Sequence, residues 1–594
     1  MKNIFKNIML ASVMGTTMMA CQDAWDDHYS QVPDTKYGNA SLYKVLKAQP
    51  ELSDFCRVLD ATKVLSNNKM TPVTYKDLLD GDQFYTVWAP VNGTFDADSL
   101  INMCKTFSGD SLVEVLFVKN HIARFAHSVG NAGDSVVLML NGKNMRMKEG
   151  RYADVQISES NLAARNGVVH VLQNPATFYN NVFEAMLNRP EFSHIGDFFR
   201  YYQVQEFNES ASLASGVVDG KTIYIDSVFY TSNLCLSWFG RINDEDSLYW
   251  MLAPTKEVWE PIYEEALSYY NCDNMKNSDS ISSFYAHSAV MEDLFYNPHE
   301  WMQRSIQDSI VSTSWSSYYE KYRPKHRYFR PFDEGGLFNQ NWVNVLQCSN
   351  GTVYEMNTWP FDKYETYFFP RQVLATTTRD LFDYGGNAAK TVDLTMENIY
   401  AHNDTVAQSY LSVTPTSNTD KYFLEYSLSV LSGCYDIYLV VLPKSVDPSR
   451  DMSDNTVAGK RNKLPNKFQI DIFYVGRDGK EYTVSSKKRY KFDKSQPGYY
   501  EDGKKDTSIP YLFEGNAKNN KGVVDPTLFV NNPYCVDTIK LCTMEFPVNS
   551  MLQTKEGTVR LRITNSVTAT ESRNYADYLF LDGILLMPHR DNCK

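Results

Sequence analysis

Between Tyr318 and Phe332 the chain gathers aromatic and basic side chains into one short stretch. Tyr318, Tyr319, Tyr322, Tyr328 and Phe329 are interspersed with Lys321, Arg323, Lys325, Arg327 and Arg330. Flat rings offer faces for stacking, and guanidinium groups donate in a rigid fork to carboxylate or hydroxyl oxygens. Both types are enriched at interface hot spots. Tyr322, Arg323, Arg327, Tyr328 and Arg330 are therefore candidate binding residues for a protein partner or an acidic saccharide. The same pattern also fits a strand with rings inward and bases outward, ended by prolines. A second pair, Tyr499 and Tyr500 in Gln496-Pro497-Gly498-Tyr499-Tyr500-Glu501-Asp502, offers rings for stacking or forms an exposed loop without a ligand.

Catalytic signatures are missing. The chain has no GxSxG elbow, HExxH helix, phosphate-binding loop or dinucleotide fingerprint. The expectation is a protein that is not an enzyme, with no catalytic residues, no cofactor and no metal site. Paired carboxylates for glycoside hydrolysis are not legible, because they meet only in the fold. Asp447, Asp451 and Asp454 supply oxygens of the type calcium takes, but their spacing matches no EF-hand and also suits solvated charge. Apart from Cys21, the cysteines are scattered, form no CxxC, and read as small buried apolar residues.

Cys21 follows a leader with Lys2 and Lys6, an apolar run from Ile8 to Ala20, and the tetrad Met18-Met19-Ala20-Cys21. A positive n-region, a compact apolar h-region and small residues at the cut make a signal peptide. The run is too short to cross a hydrocarbon core of about 30 Å as a helix. The tetrad resembles the processing site of bacterial lipoproteins, which implies acylation of Cys21 and a lipid anchor in the outer membrane. Asp23, Asp26 and Asp27 follow closely. They resemble the signal that exports lipoproteins to the cell exterior in glycan-foraging Gram-negative bacteria, and equally suit a solvated tether.

The rest of the composition fits a water-soluble body of several domains. A length of 594 suggests three or four at about 150 residues each. Mean hydropathy is −0.41, which leaves no room for further membrane spans. The net charge of −13 repels a phosphate backbone, so nucleic acid is not an expected partner. Aromatic residues make up 14%, which suits β-rich cores and sugar stacking alike.

An internal repeat organises the first two-thirds. Tyr85-Thr86-Val87-Trp88-Ala89-Pro90 matches Tyr249-Trp250-Met251-Leu252-Ala253-Pro254, and Asn166-Gly167-Val168-Val169-His170 matches Asn350-Gly351-Thr352-Val353-Tyr354. Each first motif reads as a buried strand ended by proline. Each Asn-Gly reads as a type I′ hairpin turn, pairing in the first copy with a strand such as 135–140 or 146–148. Met291 to Ile310 reads as helix-like insertion.

These motifs, with Leu116-Phe117-Val118-Lys119-Asn120-His121-Ile122, resemble the fasciclin domain. The first copy is a specific match; the second is degenerate, with Tyr354 where the family has histidine. The resemblance implies an α+β fold, a role in adhesion or binding, and buried packing roles for His121 and His170.

From about Thr391 the apolar period falls to two. Segments 423–430, 435–441, 468–475, 482–485, 538–544, 558–564 and 578–587 read as strands, separated by turns such as Gly476-Arg477-Asp478-Gly479. Val559-Arg560-Leu561-Arg562-Ile563 alternates, with one face buried and one wet. Ser432-Gly433-Cys434-Tyr435-Asp436 and Tyr578-Leu579-Phe580-Leu581-Asp582-Gly583 resemble strands of carbohydrate-binding or galactose-binding sandwiches. All nine Trp precede Pro360, so this region has no tryptophan platform.

The expected organisation is a signal peptide over 1–20, an acidic tether over 21–39, a fasciclin-like domain over 40–176 and a degenerate one over 177–370. A linker over 371–390 and an all-β sandwich or jelly roll over 391–594 complete it. Such chains resemble accessory lipoproteins of SusC/SusD-type nutrient uptake systems, which implies glycan capture or docking on a TonB-dependent transporter. The alternative is an adhesin or scaffold that binds protein rather than sugar.

Overall fold

The computed structural model describes residues 38–66, 69–129, 135–148, 150–210, 212–218, 221–226, 229–298, 309–313, 327–340, 342–386, 392–398, 409–415, 421–487, 511–518, 521–551 and 559–590. The chain divides into two compact units. One comprises residues up to Leu236 with Arg241–Trp250 and Val345–Val353; the other comprises Ser237–Gly240, Met251–Asn344 and the residues from Tyr354 onward. The division runs through the second copy of the repeat rather than between residues 176 and 177.

In the first unit, a seven-stranded sheet runs in the order Ile122–Arg124, Tyr85–Pro90, Gly167–Leu172, Val155–Ala164, Arg151–Tyr152, Asn144–Lys148, Ser135–Leu138. Tyr85–Pro90 and Gly167–Leu172 are parallel neighbours in register from Tyr85 opposite Gly167 to Pro90 opposite Leu172. Both are buried along their whole length. Successive side chains point to opposite faces, and here both faces are covered. Val87 and Val169 meet Leu42, Leu46, Phe55 and Leu59 from the helices Leu42–Lys47 and Ser53–Ala61. Trp88 meets Met145, Met147 and Tyr152 on the other side.

The Asn-Gly turn differs from the expected hairpin. Its partner strand is Val155–Ala164; Ser135–Leu138 and Asn144–Lys148 lie at the far edge of the sheet. A type I′ turn needs positive φ at both central residues, whereas only Gly167, not Asn166, has it. The pair is required for other reasons. The Asn166 side chain accepts from Leu42 N at 2.8 Å and donates to the carbonyls of Leu79 and Gly81 at 3.0 and 2.9 Å. At Gly167, with φ +145°, a Cβ would come within 1.8 Å of the Tyr85 carbonyl oxygen.

The second copy repeats this geometry. Asn350 accepts from Val182 N at 2.9 Å and donates to the carbonyls of Ile242 and Asp244, both at 2.9 Å. A Cβ on Gly351 would lie 1.9 Å from the Tyr249 carbonyl oxygen. Tyr249 N bonds Asn350 O as Tyr85 N bonds Asn166 O, and Thr255 N bonds Met356 O as Val91 N bonds Leu172 O. The helical pairs also correspond: Leu42–Lys47, a 3₁₀ turn at Pro50–Leu52 and Ser53–Ala61 in one copy; Val182–Asn188, Pro190–Phe192 and Ser193–Tyr201 in the other.

His121 and His170 are both buried. His121 meets the Phe117 carbonyl at 2.7 Å through Nδ1 and accepts from Ala176 N at 3.0 Å through Nε2. His170 meets the His127 carbonyl at 2.8 Å and stacks on Trp88 with centroids 5.6 Å apart. Burial pushes both imidazoles down to about 4.

In the second unit, Met291 to Ile310 departs from the helix expected there. The helix Ser278–Met291 ends, and Phe295–Pro298 becomes a strand paired with Ser309–Ser312. Phe295 and Tyr296 are β-favouring aromatics and are wholly buried.

The C-terminal part is two antiparallel sheets in a sandwich-like arrangement. The seven-stranded sheet runs Val392–Asn398, Ser409–Pro415, Leu579–Pro588, Gly433–Val441, Asp537–Phe546, Tyr511–Phe513, with Arg371–Leu374 also on Leu579–Pro588. The six-stranded sheet runs Leu381–Gly386, Tyr422–Ser427, Arg560–Asn565, Lys467–Val475, Glu481–Ser485, with Phe529–Val530 also on Lys467–Val475. The segment 371–390, expected as a linker, thus supplies two strands. Arg371–Leu374 alternates buried and half-buried residues, a pattern too short to stand out in the sequence.

Cys434 is disulfide-bonded. Cys535 and Cys542 are free, the first exposed and the second buried. Asp447, Asp451 and Asp454 accept from the backbone N–H two residues on, at Ser449, Ser453 and Thr456. Such side-chain-to-backbone bonds shape turns. No metal-binding cluster of His, Cys, Asp and Glu occurs among the described residues.

Candidate functional site

The outer face of the six-stranded sheet carries the most organised array of binding chemistry. Its centre is the strand Arg560–Asn565, whose Leu561 and Ile563 point into the core and are fully buried. Alternation turns Arg560 and Arg562 outward. Register then sets their neighbours: Arg562 lies opposite Glu425 on one side and Asp471 on the other, and Arg560 lies opposite Ser427 and Phe473.

Glu425, only 2% exposed, joins the two arginines. Arg560 Nε donates to one of its carboxylate oxygens and Arg562 Nε to the other, both at 2.6 Å. Arg560 Nη2 lies 2.9 Å from Glu481 Oε2. Charge-assisted bonds of this kind hold planar groups at fixed angles. The rings fill the intervals. The Arg560 guanidinium carbon is 4.9 Å from the centroids of both Phe382 and Phe473; that of Arg562 is 4.5 Å from Phe423 and 5.1 Å from Phe473. The result is a ladder, Phe382–Arg560–Phe473–Arg562–Phe423, in which cations and ring faces alternate. Each such contact is worth about 0.5–2 kcal/mol.

The ladder is stiff, and part of it faces water. Phe382 is 44% exposed and the Arg562 side chain 34%. Arg562 is held by Nε alone, and its Nη groups meet no protein acceptor among the described residues. Fixed donors on the same face as an exposed ring suit a polyhydroxylated ligand, whose oxygens accept hydrogen bonds while its C–H faces pack on aromatics. Glu425 is engaged by two guanidinium groups and has the geometry of a positioning group.

The residues singled out by sequence are placed differently. Cys21, Tyr322, Arg323, Tyr499 and Tyr500 lie outside the described residues. Arg327 opens the strand Arg327–Phe329. Tyr328 is half-buried, its ring 5.6 Å from Tyr296 and 6.4 Å from Phe361, and burial pushes its hydroxyl pKa up. Phe329 and Arg330 are exposed, and Arg330 lies within 4.0 Å of Asp333. The described part of this segment therefore does not keep rings inward and bases outward, since the Phe329 ring and the Arg330 side chain both face out. Nothing in the sequence marks Phe382, Phe423, Glu425 and Phe473 as neighbours. Only the alternation about Arg560 and Arg562 was visible, since the partners come from three other strands.

Comparison with known proteins gives weak likenesses. No family model matches the chain, and no curated protein does. Among solved structures, a FAS1 domain pair from the insect cell adhesion molecule fasciclin I is similar at 11% identity, covering 48% of this chain and 90% of that one, with a TM-score of 0.16. A xylan-binding domain from carbohydrate-binding module family 22 is similar at 9% identity, covering 36% of this chain and 92% of that one, with a TM-score of 0.17. The C-terminal family 22 carbohydrate-binding module of a Clostridium thermocellum xylanase, Xyn10B, is similar at 9% identity over 35% of this chain and 90% of that one, with a TM-score of 0.16. Scores this low assign no role to any residue of this chain.

Proposed function

We propose that this chain is a lipoprotein anchored through Cys21 on the outer face of an outer membrane. It carries two tandem fasciclin-like domains and a sandwich that binds a glycan on the face built around Arg560 and Arg562. It docks on a SusC/SusD-type transporter complex, to which it delivers the captured oligomer. Its role is binding rather than catalysis. The observation that carries the reading is the alternation of phenylalanine rings and guanidinium groups, with the Arg562 side chain 34% exposed and its Nη groups without a protein acceptor among the described residues. The disulfide at Cys434 adds support, because such bonds persist in oxidising compartments outside the cytosol. Lipid tethering keeps weak sites at high local concentration beside their target.

A glycan array probed with the full chain and with Arg562→Ala tests this. Retention of one or more glycans by the wild type, lost in the variant, supports it; no retention by either removes the sugar-binding role.

One observation favours the alternative, an adhesin or scaffold that binds protein. Met103, at the end of the helix Ala97–Met103, and Phe107, Leu112 and Leu116, in the helical segment 107–118, are each more than a third exposed. Apolar groupings of this kind mark protein contacts. Pull-down from native membranes separates the two: a transporter barrel supports the first reading, and another surface protein without one supports the second.

A further inference from the structure

A second site lies away from the sheet ladder, in a cavity of about 350 Å³ within the second unit. Its floor is the stacked pair Tyr269 and Phe368, with centroids 4.1 Å apart. The sandwich reaches this floor through Ser432-Gly433-Cys434. Ser432 Oγ donates to the Ser268 carbonyl at 2.7 Å and accepts from Asn271 N at 3.3 Å. A Cβ on Gly433 would come within 2.9 Å of the Phe368 ring and 3.1 Å of the Tyr269 ring, so only glycine lets the rings lie there. The cavity is thus built by specific residues of both parts.

Its lining is cationic in a chain of net charge −13. Lys363, Arg477 and Arg590 line it against one carboxylate, Glu545. Lys363 is paired with Glu265 at 2.5 Å and bonds the Tyr269 hydroxyl at 3.2 Å. Arg477 reaches Asp273 only at 3.9 Å and is largely exposed. Arg590 is exposed, lies 5.5 Å from the Tyr364 ring centroid, and has no carboxylate partner among the described residues. Among the described residues, Arg590 thus meets no carboxylate and Arg477 only a distant one, and both line a hollow with an aromatic floor. A cavity of this size holds a small ligand of one or two rings. Guanidinium forks match a carboxylate, and the rings match the apolar face of a pyranose.

We propose that this cavity binds the uronic acid unit of an acidic saccharide, its carboxylate on Arg590 and Arg477 and its ring over Tyr269 and Tyr364. The site is separate from the sheet ladder and stands whether or not that face binds glycan.

Calorimetric titration of the full chain with digalacturonate and diglucuronate, and with their neutral methyl esters, tests it. The acids bind at least tenfold more tightly than the esters, and the difference shrinks as salt is raised from 50 to 500 mM. Arg590→Ala and Arg477→Ala, both at exposed positions, each weaken acid binding at least tenfold, while Arg562→Ala leaves it unchanged. Equal affinity for acid and ester, no binding of either acid, or acid binding untouched by both cavity variants overturns the proposal. Loss with Arg562→Ala alone assigns the acid to the sheet face and also overturns it.

Discussion

Arg560 and Glu425, on neighbouring strands, meet through Nε and Oε1 at 2.6 Å, with Glu425 only 2% exposed. The second oxygen of the same carboxylate takes Arg562 at the same distance. Removing the carboxylate strands two guanidinium groups side by side. Glu425→Ala is expected to destabilise the sandwich by about 2 kcal/mol, below the usual cost of breaking a fully buried pair because Arg562 is partly solvated. Urea unfolding followed by tyrosine fluorescence measures it.

Asn166 and Asn350 each tie a helix N-terminus and two carbonyls to the start of a buried strand. Alanine at either position removes the partner of one backbone donor and of two carbonyls, of which Gly81 O keeps Arg165 Nη2 at 3.3 Å, at a cost of about 3 kcal/mol. Hydrogen exchange of each variant should lose protection in its own copy first. Equal loss in both copies from one substitution contradicts the equivalence drawn between them.

Lys143, 4% exposed, stands between Glu184 at 2.5 Å and Glu245 at 2.7 Å. Its position in the first copy and its partners in the second make it a clamp inside the first unit. Lys143→Met leaves two carboxylates facing each other without a cation. The expected cost is about 2 kcal/mol, since Glu184 is a third exposed. Adding Glu184→Gln to that variant should recover part of the loss in a thermal melt.

Two buried histidines make the first unit acid-sensitive. Burial holds His121 and His170 at about 4, against about 6.5 in an unfolded chain. Between these values the unfolded state binds protons that the native state does not, so stability falls as pH drops from about 6.5 to 4. Each histidine contributes a loss of about 3 kcal/mol over that window. Denaturant midpoints measured from pH 7 to pH 4 read the slope, and the window flattens by half in a folded His170→Gln variant.

Lys444 carries the same penalty at higher pH. It is 2% exposed, its Nζ lacks a hydrogen-bond partner, and it lies 4.3 Å from the Phe580 centroid and 4.5 Å from that of Tyr578. Burial, aided by Arg450, pushes its pKa well down. The unfolded state therefore gains a proton below about pH 10 that the folded state lacks, and stability rises with pH across that range. Lys444→Met removes the penalty and should raise the melting temperature by several degrees at pH 7.

The sequence showed elements whose logic is local. Tyr85–Pro90 and Tyr249–Pro254 read as buried strands because both faces are covered, and seven sandwich strands announced themselves by alternation. Asn166 and Asn350 stand out in the sequence as turn residues, since turn chemistry is visible in a dipeptide whereas a side chain bridging three distant backbone groups is not. The second copy's helical pair was missed although Pro50-Glu51-Leu52-Ser53 and Pro190-Glu191-Phe192-Ser193 nearly coincide. The ladder was out of reach because Phe382, Glu425, Phe473 and Arg562 come together only through strand register.

The central claim is that the Arg562 guanidinium and the exposed Phe382 ring on the same sheet face hold a sugar. The most direct measurement is the affinity of the full chain for the best-retained array glycan, compared with Arg562→Ala and Phe382→Ala. Both variants are expected to weaken binding at least tenfold with the melting temperature little changed. Unaltered affinity in both, with the fold intact, contradicts the account.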